Sequence, residues 1–311
     1  MTLLKSAALG LVAGLALALP ATAQTVALGT TQGGATAQIA NAIASVVSSV
    51  GEVQVRPQVS ANTSQYIPLV NAGRLELGVG NYPQTWYAVE GTGMSSEPNP
   101  NLRVVANLFP FQAGIVVPES LGIESYEQLA GRNVPRFPDG SLGDFIIRAA
   151  LNAGGLSYAD INEVPVANFP RMYEAIKQGQ TDISIATIGS QPTYDLEASL
   201  GDIQFLAFSP ESQAAVAEIL PGSYLRDIAA NEELPGLDEA TRVFAYDYLL
   251  FTHKDVADEL VTAVVKAMYE NPDALIATSP LWVEFDPTLM GKEMPLEYHP
   301  AAAAFYSSVT N

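Results

Sequence analysis

Thr25-Val-Ala-Leu-Gly29, followed by Thr30-Thr31-Gln32-Gly33-Gly34, opens the stretch that decides the fold. The first five residues read as a strand. Beyond the glycines, Ile39, Ala42, Ile43, Val46, Val47 and Val50 fall at i, i+3, i+4, i+7, i+8 and i+11, the spacing of an amphipathic helix. After Gly51 the alternation of Val53, Val55 and Val59 reads as a second strand. Strand, helix and strand in this order form a βαβ unit, which requires parallel strands and a right-handed crossover, so the fold class is α/β. The Thr30–Gly34 loop lets the backbone approach a ligand while the first helical N–H groups point outward with partial positive charge. It is a candidate anion site, although Gly-Gly before a helix also serves as a plain tight turn. No lysine follows to make a P-loop, and no third glycine completes a dinucleotide fingerprint.

Working outward, the segment Val70 to Gly80 has an echo at Ile176 to Ala186, 106 positions on. Both copies read as helix end, glycine cap (Gly73, Gly179), acidic turn (Glu76, Asp182) and buried strand. A second strand, glycine loop and helix precedes the second copy: Asn133 to Phe137, then Pro138 to Gly143, then a helix from Asp144 to about Ala153 ended by Gly154-Gly155. Two similar α/β lobes are therefore expected. Near the end, Tyr246 to Phe251 reads as a strand, and Val256, Ala257, Leu260, Val261, Val264, Val265, Met268 and Tyr269 line one helical face. One strand and a few helices are too little for an independent core, so this segment is expected to return to the first lobe. Lobe I is then 24–111 with 247–311, and lobe II is 112–246. Strands Val104 to Phe109 and Tyr246 to Phe251 run between them, with hinges near 111–112 and 246–247, around a central cleft.

Residues 1–23 carry one cation, Lys5, an apolar run from Ala7 to Leu19, and Pro20-Ala21-Thr22-Ala23. That run is short of the roughly 20 residues a membrane-spanning helix needs, and Ala21-x-Ala23 suits a signal peptidase, so export to the periplasm with cleavage near Ala23 is expected. The chain has no cysteine, which excludes disulfides, thiol catalysis and cysteine-ligated metals. Hydrophobic residues make up 48% and charged residues 15%, the balance of a packed globular chain. The net charge of −19 argues against nucleic acid or anionic lipid as a partner.

Leu28-Gly29-Thr30-Thr31-Gln32-Gly33-Gly34, the Ser60-x-x-Thr63-Ser64 loop and Tyr298-His299-Pro300-Ala301-Ala302 followed by Phe305-Tyr306 carry a resemblance. The chain resembles the TAXI family, the extracytoplasmic solute receptors associated with TRAP transporters. The likeness runs in order through nearly all of the chain after residue 23. It implies a two-lobed, type II periplasmic-binding-protein-like fold, an ion-gradient-driven TRAP permease in the inner membrane as partner, and a small carboxylate as ligand: a dicarboxylate, 2-oxo acid or acidic amino acid. The chain departs from the family pattern where Asn62, Thr63, Ser64 and Ile67 replace the usual loop of two glycines and a serine followed by asparagine. It departs again where His299-Pro300-Ala301 replaces His-Pro-Gly.

The candidate ligand residues are Thr31, Gln32 and Gly33; Asn62, Thr63 and Ser64; Asn81 and Tyr82; Gly140 and Ser141; and Thr187, Ser190 and Gln191. Their hydroxyls, amides and helix-terminal N–H groups can neutralise an organic anion without a full positive charge. Arg136 lies beside the second loop and either grips a carboxylate or pairs with Asp139 or Asp144. Trp86, Phe109, Phe111, Tyr246 and Tyr248 serve either as core or as pocket wall, and Tyr82 is the aromatic favoured for ligand contact. His253 and His299, the two histidines, fall in no nucleophile or metal arrangement. No catalytic residue, metal or cofactor is expected, and the protein is read as a monomer. A periplasmic sensor for a receptor partner, or an enzyme on the same fold, are the alternatives.

Overall fold

In a computed structural model that describes residues 24–309, the chain forms ten strands and ten α-helices. The signal-peptide reading of 1–23 lies outside the described residues. In order, the elements are β1 (Gln24–Thr31), α1 (Gly34–Val50), β2 (Val53–Ser60), α2 (Thr63–Asn71), β3 (Leu77–Asn81), α3 (Tyr82–Glu90) and β4 (Leu102–Pro118). There follow β5 (Asn133–Arg136), α4 (Leu142–Ala153), β6 (Asn162–Pro165), α5 (Phe169–Lys177), β7 (Ser184–Thr187), α6 (Gln191–Leu200), β8 (Ile203–Phe205), α7 (Gln213–Ile219) and β9 (Tyr224–Ile228). The chain ends with β10 (Thr241–His253), α8 (Asp258–Tyr269), α9 (Pro272–Ile276) and α10 (Pro300–Val309).

The opening βαβ unit forms as expected, with β1 parallel to both β2 and β3. The apolar stripe of α1, Ile39, Ile43, Val46 and Val47, is buried, and Gly51 ends the helix in the left-handed conformation at φ 89°. All five residues of β3 are buried, because the strand is covered on both faces. Gly78 in β3 faces Phe251 so closely that a Cβ there would stand 2.4 Å from the ring.

β4 and β10 are long antiparallel partners that join the lobes, and Tyr246 stands opposite Phe111. On one side of that point β10 pairs with β3; on the other β4 pairs with β7 and β8, and β10 with β9. The sheet order is β2-β1-β3-β10-β4-β7. Register shifts at Tyr248/Leu249 and Leu250/Phe251 mark β-bulges where the pair bends. The C-terminal helices return to the first lobe, α8 packing on α1 and α10 on α8, and the Tyr306 hydroxyl donates to the Val105 carbonyl at 2.7 Å. The fold is the two-lobed mixed α/β architecture expected.

The echo has a structural counterpart. β5 pairs parallel with β6, as β1 does with β2, and Asn133 is tied to Asp182 as Ala27 is to Glu76. In each lobe the acid accepts from a strand N–H at 2.8 Å, across the same 49-residue separation. The acidic turn therefore fastens the third strand of each lobe beside its first.

Candidate functional site

Four helices begin around one cavity of about 80 Å³ between the lobes. A water needs about 10–15 Å³ on this measure, so the space suits a small organic molecule. From the first lobe come Thr31, Gly33, Gly34 and Thr36 at the start of α1, and Asn62, Thr63 and Ser64 at the start of α2. From the second come Ser141, Leu142 and Gly143 at the start of α4, and Asn168, Phe169 and Pro170 at the start of α5. The crossing strands supply Phe111, Ala113, Tyr246 and Tyr248. Among the described residues that line the cavity there is no Asp, Glu, Lys, Arg or His.

The local sequence explains why these helices start here. Gly34 sits at φ 79°, a backbone that a side chain would strain, and it lets the chain turn from β1 into α1. The extended N-cap residues Gly33 and Asn62 make no side-chain cap, so the first amides of α1 and α2 have no side-chain acceptor. In α4 and α5 the cap residues occupy an amide themselves: Asp144 N donates to Ser141 Oγ at 3.4 Å, and Arg171 N to Asn168 Oδ1 at 3.1 Å. Partial positive charge is thus least offset on the first lobe.

Phenols line the floor. Tyr248 is hydrogen-bonded to Thr36 Oγ1, while the hydroxyls of Tyr246 and Tyr173 make no hydrogen bond with any described residue. Burial pushes all three hydroxyls above the usual tyrosine range, so they remain neutral donors near neutral pH. Tyr246 is only 1% exposed, and its ring stacks on Phe111 at 5.5 Å between centroids.

The lobes also touch through residues outside the cavity lining. The Tyr87 and Phe145 rings lie 5.4 Å apart, and Gln191 N donates to Gln38 Oε1 at 3.4 Å. A second, wider hollow of about 790 Å³ lies beside the crossing strands, where Glu284 joins Gln112 to Arg226. Its lining is charged and open, and it lacks the convergence of helix N-termini seen in the smaller cavity.

Seven of the fourteen candidate ligand residues meet in the small cavity: Thr31, Gly33, Asn62, Thr63, Ser64, Ser141 and Thr187. The other seven do not line it. Gln32 is exposed at the loop tip. Asn81 is buried, accepts from Gln84 N at 2.9 Å and donates to Gln84 Oε1 at 2.6 Å, so it steadies a side chain that does reach the cavity. Tyr82 packs with Val104, Leu249 and Leu296, and over Gly222. Gly140, at φ 76°, shapes the turn before α4. Ser190 bonds Thr193 at 3.0 Å, and Gln191 Nε2 donates to Asp195 at 2.9 Å. The Arg136 guanidinium is held by Asp144, Asp139 and Glu163 and stacks 4.0 Å over the Tyr158 ring, so of its two readings the ion pair is what the structure displays. Phe111, Tyr246 and Tyr248 line the cavity, whereas Phe109 packs on Trp282.

Sequence reading missed Asn168, Phe169, Tyr173, Phe137, Thr36 and Gln84. A signal for Asn168 was present. The 106-residue offset of the echo, applied to Asn62, lands on it.

Two α/β lobes joined by paired crossing strands, with a cavity between them, define the fold of the periplasmic binding proteins. The chain belongs to the NMT1-like family, whose model matches residues 28–308. Among solved structures, it is similar to the periplasmic aliphatic sulphonate binding protein SsuA of Escherichia coli, at 16% identity and TM-score 0.51, over 92% of this chain and 90% of that one. It is also similar to PhnD1 of Prochlorococcus marinus in complex with methylphosphonate, at 13% identity and TM-score 0.56, over 85% and 92%. A binding protein component of an ABC phosphonate transporter from Pseudomonas aeruginosa matches at 10% identity and TM-score 0.56, over 85% and 81%. At these identities the likeness is one of fold. No curated protein matches the sequence.

Proposed function

We propose that the protein is an exported solute receptor that binds one small organic anion in the interlobe cavity, leaves it chemically unchanged, and delivers it to an inner-membrane permease. One observation carries this reading: four helix N-termini converge on a cavity lined by hydroxyls, amides, phenols and apolar side chains and, among the described residues, by no charged side chain. Peptide dipoles and free N–H groups stabilise a negative charge there, each hydrogen bond contributing on the order of 1 kcal/mol. Among the described lining residues there is no imidazole, carboxylate or ammonium to act as a base near neutral pH, and the phenols stay protonated, which supports capture over conversion.

Lobe I is 24–111 with 247–311, lobe II is 112–246, and closure turns on the residue pairs 111–112 and 246–247. A ligand enters and leaves as the two lobes part, a motion that breaks the Tyr87–Phe145 and Gln191–Gln38 contacts between them. The resemblance to TAXI receptors favours a TRAP permease and a carboxylate ligand. The proteins of similar fold, named for sulphonates and phosphonates and in one case for an ABC transporter, favour a second reading: an ABC permease and a sulphonate or phosphonate. Calorimetry or thermal shift across carboxylates, sulphonates and phosphonates tests the ligand. Uptake in vesicles driven by an ion gradient, and not by ATP, identifies the TRAP pairing. Conversion of the ligand, or stabilisation only by a neutral apolar compound, overturns the receptor reading.

A further inference from the structure

The cavity differs from one wall to the other. The first-lobe wall is small and polar: Thr31, Gly34, Thr36, Asn62, Thr63 and Ser64, at two helix starts whose cap residues leave the first amides without a side-chain acceptor. The second-lobe wall is dominated by Phe137, Leu142, Ile146, Phe169 and Ile185, with its two helix starts capped by their own Ser141 and Asn168. Tyr246, on the crossing strand β10, and Tyr173, on α5, also line the cavity, and their hydroxyls have no hydrogen-bond partner among the described residues. Arg136, the cation beside α4, is already engaged by three carboxylates.

We infer that the ligand is a monoanion with an apolar tail: its charged head sits on the starts of α1 and α2, a neutral acceptor such as a 2-oxo oxygen faces the two phenols, and the tail lies against the second lobe. This rests on the receptor reading and narrows it. A second carboxylate on the ligand would be desolvated among Phe137, Phe169 and Ile146, and among the described lining residues of that lobe only neutral donors such as Asn168 and Thr187 stand near to offset it. An α-ammonium group fares no better, because no carboxylate lines the cavity among the described residues. Dicarboxylates and amino acids are therefore disfavoured, and short-chain 2-oxo monoacids are the preferred class.

A five-carbon series tests this on the purified protein by calorimetry: pentanoate, 2-oxopentanoate, 2-oxoglutarate, norvaline and glutamate. 2-Oxopentanoate is expected to bind at least tenfold more tightly than 2-oxoglutarate or norvaline. Within the 2-oxo monoacids, each methylene that the cavity admits tightens binding about fourfold. Tyr246→Phe should reduce the advantage of 2-oxopentanoate over pentanoate. Thr63→Ala should weaken all chain lengths alike, whereas Phe169→Ala should remove the gain per methylene and spare the shortest acid; Phe169→Leu repeats the test with less loss of packing. Equal or tighter binding of 2-oxoglutarate overturns the inference and leaves the receptor reading standing. Failure of every anion, sulphonates and phosphonates included, overturns both.

Discussion

The same strand and helix plan is laid down twice, and the two copies use their helix starts differently. In the first lobe Gly33 and Asn62 precede α1 and α2 without capping them, so amides face the cavity. In the second, Ser141 and Asn168 cap α4 and α5, and the neighbouring side chains are phenylalanine and isoleucine. An N-terminus can bind an anion through donors that its own cap has not taken, so the same secondary structure leaves uncapped helix starts on one wall and capped starts beside apolar side chains on the other.

The largest effect should come where the lobes are alike. Glu76→Ala and Asp182→Ala each remove a carboxylate that accepts a strand N–H at 2.8 Å, and each should cost about 1.5–3 kcal/mol in denaturant unfolding. A large loss for one and none for the other would break the equivalence of the lobes. Next is an asymmetry of space. A Cβ on Gly143 would stand 2.5 Å from the Phe137 ring, whereas one on Gly33 would stand 3.6 Å from Pro170. Gly143→Ala should therefore destabilise by about 1–3 kcal/mol through overpacking, and Gly33→Ala should melt like the parent protein.

The caps sharpen the comparison directly. Asn168→Ala should lower stability by about 1 kcal/mol, since it removes an N-cap. Asn62→Ala should leave melting of the free protein nearly unchanged and weaken anion binding about fivefold, one hydrogen bond's worth at about 1 kcal/mol. The reverse pattern would mean that the anion sits on the second lobe. The smallest effect concerns His299, which lies on the C-terminal segment that returns to the first lobe. Burial holds its imidazole below the usual range, with Asp258 opposing the shift. The unfolded chain therefore takes up this proton first as pH falls below about 6.5, and stability drops from there until the folded histidine also titrates. His299→Gln should flatten that part of the curve of melting temperature against pH.

Short-range pattern carried much of the architecture. The 3.6-residue spacing from Ile39 to Val50, the alternation of Val53 and Val55, and the glycine and acid at matching places in the echo each act within one turn of chain, so α1, β2, β3 and β7 were legible. Three of the four helix-start loops that meet at the cavity were legible for the same reason, because strand ends and helix starts are local events; the loop at Asn168 was not. Which side chains in those loops point inward was decided by packing between distant elements. Thr31 enters the cavity while Gln32 faces solvent; Thr187 enters while Ser190 turns to Thr193. Arg136 is withdrawn by Glu163 on the next strand as well as by its neighbours in sequence, and Tyr82 by the surface around Gly222 and Leu249. Sequence alone thus determined two α/β lobes and the glycine-bearing loops between them. Tertiary structure alone decided which amides stay free, which aromatics form the wall and where charge is absent, because each depends on partners brought together across both lobes.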